Sequence, residues 1–248
     1  MAYQQKLRTF HLFSGAGGGI LADLLLGHNP IGACEIEPYP RNVLLARQRD
    51  GILPSFPIWD DVATLDGNPW RGSVDVLCGG FPCQDISPAR TNNDKNGKCL
   101  GLDGKKSGLW RHMARVIMEM RPRFAFIENS PNLRTKGLVT VLKDLDSMGY
   151  YTRRIVIGSR HIGADHHRDR MWILAHSNLP QREGRGIPSG VHQAHTYISG
   201  PDWRESESRL ERVKDGMAYR LDRLKAIGNG QDCRVAASAF NILSEGLI

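Results

Sequence analysis

No apolar run in this chain is long enough to span a bilayer, and the opening MAYQQKLRTFHLF lacks the extended apolar core of a secretory signal. These absences argue against a membrane-spanning or secreted protein and lead to the expectation of a soluble, intracellular one. Cysteine is sparse and irregular, with five residues at 34, 78, 83, 99 and 233 and no CxxC pair. An odd set without that spacing argues against a disulfide framework and against a zinc site, so reduced thiols and no metal are expected. Internal repeats and long low-complexity tracts are also missing, which sets aside repeat architectures.

What remains is the composition of an ordinary globular protein. At 248 residues the chain suits one large domain, or one domain with a small appendage. Lysine and arginine outnumber aspartate and glutamate by 33 to 26, giving a formal charge of +7. A polyanion partner fits this charge, as does an unrelated basic enzyme.

Short apolar runs alternate with helical patterns, the arrangement of an α/β sheet with crossover helices. Strands are predicted over residues 7–13, 30–35, 74–78, 124–128, 152–157 and 171–175, with a further short one before Asp60 and Asp61. Helical spacing covers residues 20–26, 40–49, 109–120 and 132–148, and returns over 232–243. Residues 84–107 are polar and rich in Asn, Lys and Gly, as functional or mobile loops often are. From His176 to about Tyr219 the pattern degrades again and reads as an insertion or small subdomain.

Three places carry chemistry. Phe13-Ser14-Gly15-Ala16-Gly17-Gly18-Gly19 follows the first strand and precedes a helix. Glycines there let backbone approach a nucleotide-like cofactor, although a tight turn without a ligand has the same residues. Glu35 ends the second strand, where a carboxylate accepts from ribose hydroxyls, and Asp61 is similarly placed to accept from an adenine amine; either alone also suits a solvated strand end or a cap. In Asp75-Val76-Leu77-Cys78-Gly79-Gly80-Phe81-Pro82-Cys83-Gln84, a buried strand ends in two glycines and Pro82 presents Cys83 at the start of the polar loop. That setting favours a nucleophilic thiolate at Cys83, while Cys34, Cys78 and Cys99 read as structural.

The run GGFPCQDIS resembles the catalytic motif of DNA (cytosine-5) methyltransferases. The ordered series FSGAGGG, CEIEP, WDDV, GGFPCQ, IENS, HHRDRMWIL and LKAIGNG extends that resemblance over nearly the whole chain. It implies a compact bacterial or phage-type member with a doubly wound, Rossmann-like S-adenosylmethionine-dependent methyltransferase fold. Residues 1–175 would form the catalytic and cofactor-binding domain, 176–219 a small target-recognition region, and 220–248 a segment returning to the catalytic domain.

By the same resemblance, Phe13 would pack against the cofactor adenine, with Ser14, Gly15, Ala16, Gly17 and Gly18 near its methionine end. Glu35 would hold the ribose beside Ile36, Asp61 the adenine amine, and Asn229 would help close the pocket. Cys83 would attack C6 of a cytosine flipped out of the duplex, Glu128 would contact N3 and the exocyclic amine, and Arg168 and Arg170 would lie near the base. A solvated or phosphate-facing arginine pair is the plainer alternative. Arg90, Lys95, Lys98, Lys105 and Lys106 would meet DNA phosphates, or simply solvate the loop. Base readout would fall to Arg182, Arg185, His192, His195, Trp203 and Arg204, unless these are exposed polar residues without that role.

The resemblance implies duplex DNA as partner, no membrane, a monomer, and a bacterial cytoplasm or virus-infected host cell as setting. Restriction-modification, viral DNA protection and regulation all fit the chemistry. The sequence also departs from the family. His11 stands where aspartate is common, Ser130 where valine is usual and His166 where glutamine is common, while Gln231-Asp232-Cys233 replaces a usual valine and proline after Gly228-Asn229-Gly230. Asp232 suits the N-cap of the last helix. Two alternatives stand beside the main reading: an RNA cytosine-5 methyltransferase, suggested by the short recognition region, and a catalytically degenerate DNA-binding homologue.

Overall fold

The computed structural model describes residues 6–82, 108–177, 226 and 230–248. Seven strands form one sheet: β1 (Arg8–Leu12), β2 (Asn29–Cys34), β3 (Ile58–Trp59), β4 (Val76–Gly79), β5 (Phe124–Asn129), β6 (Tyr150–Gly158) and β7 (Asp169–Ser177). Their order is β3-β2-β1-β4-β5-β7-β6, with β1 to β5 parallel and β7 antiparallel to both neighbours. The connecting helices are α1 (Gly18–Leu26), α2 (Pro38–Arg49), α3 (Leu109–Met120), α4 (Leu133–Lys136) and α5 (Leu138–Ser147), and α6 (Cys233–Ser244) follows near the C-terminus.

Strand periodicity divides the core between the two faces of the sheet. Leu77, Ala125, Ile127, Met171, Ile173 and Ala175 point into one apolar layer with Trp110, Met113, Ile117, Val141 and Leu145 from α3 and α5. Val76, Phe124, Phe126, Trp172 and Leu174 point the other way, onto Ala22 of α1 and Val235, Ala236, Phe240 and Leu243 of α6. Parallel strands buried on both faces read as continuous apolar runs, and for this reason β4 and β5 were legible without alternation.

Helix α3 is the clearest amphipathic element. Trp110, Met113, Val116, Ile117 and Met120 recur at helical spacing on its buried side, and the helix stops at Arg121, whose φ of 52° precedes Pro122. The predicted helix over 132–148 is two helices, broken at Gly137. α6 begins at Asp232, whose carboxylate accepts from the Arg234 and Val235 amides at 3.0 and 3.4 Å, as the sequence suggested. The main-chain carbonyls of Leu243, Glu245 and Leu247 are held by Arg153 and Arg123.

The antiparallel course of β7 is the main addition to the sequence reading. Only ten residues separate Gly158 from Asp169, and these two pair across the ladder. A link of that length turns the chain back beside itself, whereas a parallel return needs a longer crossover. Among the described residues no helix is long and apolar enough to cross a membrane.

Candidate active site

Strands β1, β2, β4 and β5 all point their carboxyl ends at one edge, and the order reverses between β1 and β4. Open α/β sheets bind ligands in the crevice at such a reversal. Because β7 runs the opposite way, its amino end, with Asp169 and Arg170, arrives at the same edge beside the end of β5.

On the β1–β2 side the glycine-rich turn is built from unusual backbone. Phe13 has φ 54°, a conformation costly for an aromatic residue and concentrated at ligand sites, and Gly15 and Gly17 also have positive φ. The Glu35 carboxylate, 7% exposed, accepts from the Gly15 amide at 2.6 Å and from the Glu37 amide at 2.8 Å. Two backbone donors fix its orientation and leave acceptor capacity for a ligand's hydroxyls. Beside it Ile36 and Trp59 are 63% and 46% exposed, and the Glu35 amide donates to the Trp59 carbonyl at 2.9 Å.

An oriented carboxylate next to exposed apolar side chains is a setting that suits a ligand with both hydroxyls and an apolar ring. Trp59 was not assigned a role in the sequence; an aromatic at a strand end just before two acids was the available signal. Asp61 uses Oδ1 to accept from the Ala63 amide at 2.8 Å and so shapes the local turn. Burial first, then the nearby Glu35, Asp61 and Asp60 carboxylates, push the Cys34 thiol up to about 12. This thiol is structural.

On the β4–β5 side Glu128 is nearly buried at the end of β5. Its Oε1 lies 2.8 Å from Arg170 Nε, while Arg168 Nη2 donates to the Gly230 carbonyl. The sequence proposed both arginines for a base; the fold brings Arg170 onto Glu128 and Arg168 onto the C-terminal segment. Burial raises the Glu128 pKa, opposed by Arg170, Arg168 and the Gln231 carboxamide. Asn129 donates to the Phe81 carbonyl at 3.1 Å, fastening β5 to the segment that leads into Cys83.

Gln231 was noted in the sequence only as a departure. Its side chain lies among the glycines: a Cβ on Gly80 would stand 2.5 Å from Glu128 Oε2 and 3.1 Å from Gln231 Nε2, and one on Gly19 would stand 2.6 Å from Gln231 Oε1. The main chain is equally close, since a Cβ on Gly18 would fall 2.1 Å from the Gln231 carbonyl oxygen.

Beneath the glycine turn, Thr9 Oγ1 and His11 Nε2 each lie 2.5 Å from Asp23 Oδ2, and His28 Nδ1 is 3.4 Å from Oδ1. Burial alone would raise the Asp23 pKa, but His11 and His28 together bring it down to about 2. Cys78 joins His11 and Asp23 within 4.8 Å, a grouping with metal-ligand chemistry. The His11–Asp23 spacing is that of a hydrogen bond, whereas two donors on one tetrahedral zinc ion with bonds of about 2.0–2.1 Å stand about 3.3 Å apart. Burial also pushes the Cys78 thiol well above its ordinary range. Thr9, His11 and Asp23 form a hydrogen-bonded group that seats α1 on the sheet, and His28 and Cys78 pack beside it.

Cys83, Cys99, Asn229, the basic loop residues Arg90, Lys95, Lys98, Lys105 and Lys106, and Arg182, Arg185, His192, His195, Trp203 and Arg204 lie outside the described residues.

The sheet order and its ligand edge are those of the Rossmann-like methyltransferases. Solved structures agree: the S. pombe Dnmt2 methyltransferase has a TM-score of 0.64 at 15% identity, covering 98% of this chain and 99% of that one. A DNA modification methyltransferase encoded within an E. coli prophage has a TM-score of 0.55 at 23% identity, covering 69% and 47%. The chain belongs to the C-5 cytosine-specific DNA methylase family, whose model matches residues 7–231. Similar curated proteins include the type II methyltransferase M.CviJI of Paramecium bursaria Chlorella virus IL3A, 30% identical over 172 residues (68% of this chain, 43% of the relative). The type II methyltransferase M2.BsuMI of Bacillus subtilis is 30% identical over 177 residues, 68% of this chain and 42% of that protein. The chain therefore spans less than half the length of these relatives.

Proposed function

We propose that the protein methylates C5 of cytosine in duplex DNA, with S-adenosylmethionine as methyl donor. The observation that carries this reading is Glu128, nearly buried with Oε1 on Arg170 and Oε2 against Gly80, three residues before the motif cysteine Cys83. In this reading the target base leaves the duplex, because neither a thiol nor a carboxyl reaches C6 and N3 inside a base stack.

Cytosine C5 is a weak nucleophile until a thiolate adds at C6. Cys83 supplies that thiolate; as its sulfur bonds to C6, the C5–C6 π pair moves into the ring toward N3. Glu128 meets that charge. Burial biases its carboxyl toward the acid form, the form that donates to N3, and its other oxygen accepts from the exocyclic amine. Arg170 holds the carboxyl in place and, with Arg168, offers positive charge beside the base. S-adenosylmethionine, when bound, supplies an electrophilic methyl group on its sulfonium. Transfer of the C5 proton to water, return of the N3 proton to Glu128 and elimination of the Cys83 sulfur from C6 then restore the ring and the thiolate.

On the cofactor side, Glu35 would take the ribose hydroxyls, Phe13, Ile36 and Trp59 the adenine faces, and the backbone of Ser14 to Gly18 the methionine end. Asp61 and Asn229 complete the proposed set. The arrangement favours an intact enzyme over a degenerate binding protein, because a buried carboxylate paired with arginine is costly to keep without a use.

The test is transfer of labelled methyl from S-adenosylmethionine to mixed-sequence duplex DNA, beside Cys83→Ser, with product bases read by sequencing. Label on cytosine C5, absent from the variant, is the expected result. Label on transfer RNA alone would move the substrate to RNA. Cofactor binding with no transfer to either nucleic acid would make the protein a binding homologue.

A further inference from the structure

Resting on the reading of Glu128 given above, we propose that Gln231 is a positioning residue for the methyl-transfer reaction, holding the Glu128 carboxyl together with Arg170 and tying it to the glycine turn. Three separate contacts converge on this residue. Its Nε2 and Glu128 Oε2 share the space above Gly80, its Oε1 sits over Gly19 near His11 Nδ1, and its carbonyl oxygen occupies the place of a Gly18 side chain. The preceding residue is fixed as well, since Gly230 accepts from Arg168, and the following one caps α6. Gln231 is thus clamped at both ends, with its carboxamide directed at the acid.

A carboxamide suits this place where an apolar residue would not. Its N–H donates to a carboxylate without adding charge, and its carbonyl end meets the glycine turn. An apolar side chain of similar size would have neither group. Arg170 holds Oε1, and the Gln231 amide approaches the same carboxyl from beside Gly80, where it helps to lower the Glu128 pKa. Among the described residues, the charged groups that face Glu128 are Arg170 of β7 and Arg168 just before it; behind Gln231, on β1 and α1, stand His11 and Asp23.

Removing the amide donor leaves the carboxylate less stabilised than the acid, so Glu128 holds its proton to higher pH. A hydrogen bond to a charged group corresponds to a shift of about one unit. The experiment is the pH profile of single-turnover methyl transfer for wild type, Gln231→Met, Gln231→Glu and Glu128→Gln, with folding followed by circular dichroism and the cofactor KM measured alongside. Gln231→Met keeps the volume and removes the donor. Its alkaline limb is expected to move up by about one unit, with a lowered maximal rate and an unchanged KM. Gln231→Glu sets a like charge beside Glu128 and moves the limb further in the same direction, carrying the test if the methionine variant does not fold. An alkaline limb unmoved in both variants, while Glu128→Gln abolishes transfer, overturns the role of Gln231 alone. Wild-type rate and profile in Glu128→Gln would remove the reading of Glu128 itself, and this inference with it.

Discussion

The two halves of the ligand edge are built on different plans. On the β1–β2 side, acids are held by nearby backbone: Glu35 by the Gly15 and Glu37 amides, Asp61 by the Ala63 amide. On the β4–β5 side, side chains are held by partners far along the chain, Glu128 by Arg170 and Gln231, Arg168 by the Gly230 carbonyl. The first half is a set of local turns and suits a cofactor that is the same in every turnover. The second is a junction of three separate segments, formed only when the fold closes.

The largest effect is expected at the junction. Arg170→Met leaves the nearly buried Glu128 carboxylate without its ion-pair partner. Breaking such a pair costs about 3–5 kcal/mol, and losing an oriented charge at a reacting base costs about 10²–10³ in rate. Chemical denaturation and single-turnover transfer check the two numbers. A loss of stability with the rate preserved would detach Arg170 from the chemistry.

Two glycines of one turn separate local strain from long-range packing. Gly18→Ala drives a methyl group into the Gln231 carbonyl 2.1 Å away, and is expected to cost about 1–3 kcal/mol while moving the C-terminal segment. Gly15→Ala meets nothing within 4 Å and carries only the strain of φ +54°, about 1 kcal/mol. Thermal denaturation of the pair gives the order; the reverse order would show that the C-terminal segment does not pack there.

An effect of comparable size, but seen only in acid, is at the buried network. The folded Asp23 pKa is depressed to about 2, so its stabilising contribution is present above the ordinary aspartate pKa and is lost as pH falls through about 4 to about 2. It is on the order of 2 kcal/mol. Asp23→Asn should remove that part of the acid transition in pH-dependent unfolding. An unchanged acid limb would mean that Asp23 titrates alike in the folded and unfolded chains.

The same contrast explains what could be read from sequence. Glu35 and the glycine turn were legible because each ends a strand that the strand-to-helix pattern places, and those two strands are adjacent in the sheet. Helix α3 and the N-cap at Asp232 were legible for the same reason. The direction of β7 was not, because apolar runs mark a strand without marking its sense. That sense is what delivers Arg170 to Glu128. Gln231 stood out as a departure, but its partners, Glu128 and Gly80, are joined to it only through the folded sheet. His11 also stood out in the sequence, and only the fold brings it to Asp23, a helical position that no motif covered.

In the proposed function one half of the edge binds cofactor and the other performs transfer. Cofactor titration calorimetry combined with single-turnover transfer, on wild type, Glu35→Gln and Glu128→Gln, tests it most directly. Glu128→Gln should bind S-adenosylmethionine as wild type does and lose at least about 10²-fold in rate. Glu35→Gln should bind about tenfold more weakly and recover its rate at saturating cofactor. A Glu128→Gln protein that transfers normally, or a Glu35→Gln protein that binds normally, would contradict the account.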